Sequence, residues 1–241
     1  MAEVSVMKVR VKFTKTGVMK FIGHLDTMRY FQKAIRRAGI DIAYSSGFSP
    51  HMIMSFAAPL GVGVTSDGEY FDMELRTAQA SAVMEKRLND AMVEGMQILS
   101  IRKIPDEKSS NAMSLVSAAD YLVTFRPGKE LPDGWKERMA DYLAQEQILC
   151  MKPGKKGERE VDIRPWIYQM EVRENGIFMQ LSSGSVRNLK PEMVIKSFAA
   201  YLGAELDEFA LMIHRQEVYA DLGSESKRKL ISLENLGEEI E

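Results

Sequence analysis

Lys8-Val9-Arg10-Val11-Lys12-Phe13 is the stretch on which the fold turns. Basic and apolar residues alternate, so the period of two predicts a strand with one basic face and one apolar face. Lys15-Thr16-Gly17 ends it. From His24 to Ala38 the period changes: Leu25, Met28, Phe31 and Ile35 recur at spacings of three and four, the signature of a half-buried helix. Arg29, Lys33, Arg36 and Arg37 fall mostly on its other side, and Gly39 is a natural stop. Ile40 to Tyr44 reads as a short strand. Ser45-Ser46-Gly47-Phe48-Ser49-Pro50 is a turn, and His51 to Ala57 is a second extended run. Glu69 to Leu75 alternates again, with Phe71, Met73 and Leu75 on one face. A helix over Ala80 to Val93, with Val83, Leu88 and Ala91 along one side, and a strand over Met96 to Ile104 complete the order β-α-β-β-α-β. That order predicts a ferredoxin-like unit, an antiparallel sheet with both helices on one face.

Further along the chain the pattern restarts. Asp120 to Phe125 reads as a strand, Trp135 to Gln145 as a helix and Ile148 to Met151 as a short strand. Lys152 to Glu160 is a charged loop. Ile163 to Val172 and Ile177 to Leu181 flank Asn175-Gly176, a hairpin signal. Pro191 to Leu202 opens with proline as helices often do, and Phe209 to Tyr219 holds the last strand. The expected class is therefore α+β, with two tandem ferredoxin-like halves. The expected boundaries are 1–106 for the first half, 107–118 for a linker, 119–222 for the second half and 223–241 for a polar, acidic tail.

At 241 residues the chain is long enough for one large or two small cores. Its net charge is −2, so nucleic acid would have to be met by a local patch. The charge is uneven. Residues 1–60 hold nine Lys and Arg against Glu3, Asp26 and Asp41, whereas Leu233 to Glu241 holds four Glu and no base. With Cys150 the sole cysteine, this chain supplies no disulfide, no zinc-type Cys spacing and no ligand set for an iron–sulfur cluster. No run approaches ~20 apolar residues, the length of a membrane-spanning helix. The N-terminus is unlike a secretion signal, so a cytoplasmic protein is expected.

His24 falls at the start of the first helix, where the helix dipole favours a neutral imidazole. Asp26 is in the first turn, and His51 follows the Ser/Gly/Pro turn. If they converge with Asp72, they make a polar pocket; otherwise they cap a helix and brace a turn. In the pocket reading His24, Asp26 and His51 are the catalytic candidates, with His24 as the general base of metal-independent RNA cleavage and Arg36 or Arg37 stabilising phosphate charge. A metal held by the same three is a further alternative. Lys20, Arg29, Lys33, Arg36 and Arg37 are phosphate-binding candidates. Lys8, Arg10 and Lys12 face Tyr70, Asp72 and Glu74 and predict cross-strand pairs. Ser182-Ser183-Gly184-Ser185, with Arg187 and Lys190, leads into a helix, an anion-binding pattern. Lys152, Lys155, Lys156 and Arg159 form a second such loop.

Several of these segments are similar to one known family. Lys20-Phe21-Ile22-Gly23-His24-Leu25-Asp26-Thr27-Met28-Arg29, then Ala34-Ile35-Arg36-Arg37-Ala38-Gly39, Ala43 to His51, Ser55 to Gly63 and Gly68 to Asp72 resemble the radical-SAM-associated proteins of unknown function. Val161-Asp162-Ile163-Arg164-Pro165 resembles that family's second signature. Ser49 stands where the family pattern has Asn, and Met52 where it has Pro. The resemblance implies a partner radical SAM protein that carries the iron–sulfur cluster and S-adenosylmethionine, with no cofactor in this chain. It adds Tyr44, Ser45 and Arg164 to the substrate-binding candidates. The expected architecture is also similar to that of the tandem ferredoxin-like CRISPR RNA-processing proteins. Together these imply an accessory protein that binds substrate, expected to be RNA, for a separate enzyme.

Overall fold

The computed structural model describes residues 6–154 and 157–241. Glu3 and the loop lysines Lys155 and Lys156 lie outside the described residues. In chain order the elements are β1 (Met7–Lys15), α1 (His24–Arg37), β2 (Met54–Phe56), β3 (Thr65–Leu75), α2 (Ser81–Asn89), β4 (Met96–Lys103) and α3 (Ala112–Leu115). β5 (Val116–Phe125), α4 (Trp135–Leu143), β6 (Leu149–Gly154), β7 (Gly157–Asp162), β8 (Ile167–Arg173), β9 (Gly176–Ser182) and α5 (Pro191–Tyr201) follow. β10 (Leu211–Asp221) and β11 (Leu230–Ser232) come last. The chain is mixed α+β, and its sheets are mostly antiparallel. It divides into two units, Met1–Ser117 with Arg215–Glu241, and Ala118–His214.

In the first unit the strands lie in the order β4-β1-β3-β10, with the short β2 also paired to β3 and β11 to β10. The alternation in β1 sends Val9, Val11 and Phe13 to the face that both helices cover. There they meet Phe31 and Ile35 of α1, Met84 and Leu88 of α2, and Phe71 and Met73 of β3. Phe13, Phe31, Phe56 and Phe71 pack with ring centroids 4.6–6.0 Å apart. The buried stripe of α1 is Thr27, Phe31, Ala34 and Ile35. Leu25, expected on that stripe, is exposed, because at 3.6 residues per turn it lies about 120° round the helix from Phe31. In α2 the buried set is Ser81, Met84 and Leu88 rather than Val83 and Ala91, one residue out of phase with the sequence reading. Gly39 takes φ 61° after α1, the left-handed stop expected of it.

The opposite face of this sheet is polar and equally closed. Arg10, opposite Asp72 in the β1–β3 register, is 1% exposed. Its Nε donates to Asp72 Oδ1 at 2.8 Å and its Nη2 to Oδ2 at 3.1 Å. The remaining guanidinium donors reach the carbonyls of Ser110 and Leu233, and the Ala112 N–H donates to Asp72. Lys12 donates to both Glu217 and Glu234, and Ser100 also donates to Glu234. This network orders two segments that composition marks as loose. Residues 107–118, expected as a linker, form a 3-10 turn, α3 and the start of β5. Residues 223–241, expected as a tail, form β11 and a 3-10 turn over Leu233–Leu236, with Leu233 fully buried and Glu238 hydrogen-bonded to Lys103.

In the second unit the order is β10-β5-β9-β8, with β6 and β7 forming a separate two-stranded sheet. The charged loop expected over Lys152 to Glu160 is thus largely hairpin, Lys152 opposite Arg159. α4 and α5 stack Tyr142 on Phe198 at 4.9 Å. The β8–β9 turn residues are Glu174-Asn175, since Arg173 pairs with Gly176. Glycine is needed at 176 for another reason than a two-residue αL turn: a Cβ there would sit 2.3 Å from the Val123 carbonyl.

Removing one member of the buried pair strands the other. Arg10→Ala and Asp72→Asn are each expected to destabilise the protein by about 3–5 kcal/mol in urea unfolding. Arg10→Ala should also open residues 223–241 to limited proteolysis, and wild-type stability in either variant would refute the network. Glu234 predicts a pH effect. Burial opposes its ionisation, but the hydrogen bonds from Lys12 and Ser100 outweigh it and hold the carboxyl below its ordinary 4.5. A depressed carboxylate contributes stability above its unfolded pKa and loses it as pH falls through the folded value. Wild type should therefore lose stability below about pH 4.5 more steeply than Glu234→Gln.

Candidate nucleic-acid interface

The approach to α1 is built on buried charge. Past an irregularity in β1, Lys15 turns inward and is 2% exposed. Its Nζ donates to the Ile22 carbonyl at 2.7 Å, in the loop before α1. Glu69 and Arg215, also buried, form a two-pronged ion pair, and Arg215 further donates to the Ala58 carbonyl. Burial lowers the Lys15 ammonium from its ordinary value, with Glu69 opposing the shift and Arg215 adding to it. The loops at 20–23 and 58–63 are thus tied to the sheet, and the Gly63 N–H donates to the Lys20 carbonyl to tie them to each other.

α1 carries a cationic stripe from this fixed base. Spacings of four and three place Arg29, Lys33 and Arg36 on one exposed side, spanning about 10 Å at 1.5 Å per residue. Arg29 pairs with Asp26 at 3.3 Å, both exposed. Arg37 donates to the Ala91 carbonyl. Among the described residues neither Lys33 nor Arg36 has an acidic partner. Two exposed aromatic rings lie in the segments that precede and follow α1 in the chain. Phe21 is 64% exposed, with Lys20 Nζ 5.2 Å from its ring centre, and Phe48 stands wholly in solvent at the tip of the 45–51 loop. That loop is braced at its base, where Ser45 Oγ lies 2.8 Å from His51 Nδ1 and accepts the His51 N–H. Basic side chains with accessible rings suit phosphates and unpaired bases.

A family model matches residues 8–191, more than half of the chain, α1 and the loops at 20–23, 45–51 and 58–63 included. Its description is "uncharacterized protein conserved in bacteria (DUF2344)". The chain belongs to this family. No curated protein matches the sequence. Among solved structures, the crystal structure of a Cbf5–Nop10–Gar1 complex is similar at 9% identity and TM-score 0.45, over 87% of this chain and 48% of that one. So distant a likeness says nothing of activity.

In this DUF2344 chain the expected catalytic trio is not brought together by any hydrogen bond or ion pair. The half-buried His24 ring packs edge-on against Phe56 at 5.2 Å. Asp26 is taken by Arg29, and His51 by Ser45. Asp72 is committed to Arg10 on the polar face. Among the described residues no three His, Cys, Asp or Glu side chains are placed to share a metal ion. Tyr44 and Ser45 serve the loop base, Tyr44 bridging to Met52. In the second unit Arg164 donates to the carbonyls of Leu143 and Ile167, a bracing role rather than an open phosphate contact. Ser185, Arg187 and Lys190 are exposed. The expected anion site at the start of α5 is poor, because Pro191 has no N–H and the Met193 N–H is taken by the Lys190 carbonyl. Phe21 and Phe48 were not among the expected site residues. An aromatic ring inside a Gly/Ser/Pro turn is the signal that marks Phe48. No described helix is long and apolar enough to cross a membrane.

The buried charges under the interface predict its rigidity. Glu69→Gln would remove the carboxylate that faces both Arg215 and Lys15 in the buried cluster. It is expected to cost about 3–5 kcal/mol in unfolding and to speed amide exchange at Ala57 and Gly63. Unchanged exchange at both would show that the cluster does not hold the loop.

Proposed function

We propose that the protein binds RNA in single-stranded form through α1 and the loops beside it, as a non-catalytic accessory of a separate radical SAM enzyme. The observation that carries the RNA reading is the exposed stripe Arg29, Lys33 and Arg36, of which Lys33 and Arg36 have no acidic partner among the described residues, with exposed Phe21 and Phe48 in the segments that precede and follow α1 in the chain. Cations answer the phosphates, and exposed rings offer stacking to bases that a duplex would hide. The sequence resemblance supports the enzyme partner, on which the iron–sulfur cluster and S-adenosylmethionine would reside. The strand adjacency β4-β1-β3-β2 in the first unit, repeated as β10-β5-β9-β8 in the second, supports reading each half as ferredoxin-like.

Fluorescence anisotropy with a labelled single-stranded RNA tests the binding. Reversing Arg29, Lys33 and Arg36 to Glu should weaken it at least about tenfold and reduce the salt slope by about 2, the share of three phosphate contacts on a single strand. Equal affinity of wild type and variant, or equal affinity for a duplex, would dismiss the interface. RNA cleavage that disappears in His24→Ala would replace the accessory reading with an enzymatic one. Failure to co-purify with any radical SAM protein at low salt would remove the partner.

A further inference from the structure

A cavity in the second unit lies between the β6–β7 hairpin and α5, about 720 Å³ in volume. It brings together two segments that are 30 residues apart in the sequence reading, the basic hairpin and the loop ahead of α5. Lys152, Lys190 and Lys196 line it, against Glu158 and Glu192. Lys152 is held in place: its Nζ donates to the Asn188 carbonyl at 2.8 Å and lies 5.1 Å from the Trp166 ring centre. Burial lowers the Lys152 ammonium from its ordinary value, and Arg159 and Lys190 push the same way, so cationic charge is crowded at this end. Apolar wall is supplied by Leu149 and Met151, each 53% exposed, and by Met193 and Ala200.

We infer that this cavity binds a small phosphate monoester with an apolar body, the phosphate held by Lys152 and Lys190 and the body lying against Leu149 and Met193. The three lysines select the dianion over a neutral ligand, and Leu149 and Met193 select an apolar body over free phosphate. The site uses none of the α1 stripe and does not depend on RNA binding.

The probes are phenyl phosphate and inorganic phosphate, followed by calorimetry and by the amide signals of Lys152, Asn188 and Met193. Phenyl phosphate should bind at least about tenfold more tightly than inorganic phosphate, since burying one ring is worth more than 1.4 kcal/mol. Lys152→Gln with Lys190→Gln should lose at least about tenfold for both. No shift of those amides at millimolar probe, or equal affinity for phenyl and inorganic phosphate, would overturn the inference. If the lysine variant fails to fold, the wild-type amide shifts decide. RNA affinity that falls in the lysine variant would assign these lysines to RNA and also overturn it. Failure of the α1 charge reversal to affect RNA would leave phosphate binding untouched, so the two readings fail separately.

Discussion

The fixed point of the first unit is the Arg10–Asp72 pair. A guanidinium and a carboxylate taken out of water are costly unless their remaining donors and acceptors are met. Here they are met by backbone from elsewhere in the chain: Ser110 and Leu233 for the arginine, Ala112 for the aspartate. Lys12 repeats the arrangement with Glu217 and Glu234. A strand whose polar side would otherwise face solvent is thereby closed on both faces. Two stretches of polar composition are ordered because they complete the shell around buried charge.

That closure separates structural charge from available charge. Lys8, Arg10, Lys12 and Lys15 belong to a basic N-terminal region by composition, but each is turned to an internal partner. What remains for a ligand in this region is the outer side of α1, where Lys33 and Arg36 have no acidic partner among the described residues. The same separation governs the histidines. His51 holds a loop and His24 packs on an aromatic cluster, so the contact each makes is a structural one.

Periodic signals were legible, and long-range ones were not. The alternation over Lys8 to Phe13 gave the strand and its two faces, and Phe31 with Ile35 gave the core side of α1. Leu25 and Val83 misled because a lone apolar residue at the rim of a stripe looks like one at its centre. The partnership of Lys12 with Glu234 spans 222 residues and leaves no local mark. The acidic end of the chain therefore looked solvated, when it neutralises the first strand. In the second unit the basic hairpin and the loop before α5 were each visible as candidates, but their meeting around one cavity is tertiary.

Leu233 also fixes when the first unit can be completed. Synthesis proceeds from the N-terminus at about 5–20 residues per second, so β1 and β3 leave the ribosome long before the residues that close over Arg10. Until then the guanidinium–carboxylate pair stays wet and the strand face open. A nascent chain of this design assembles its opening half last, and a truncation near the C-terminus damages the domain that was made first.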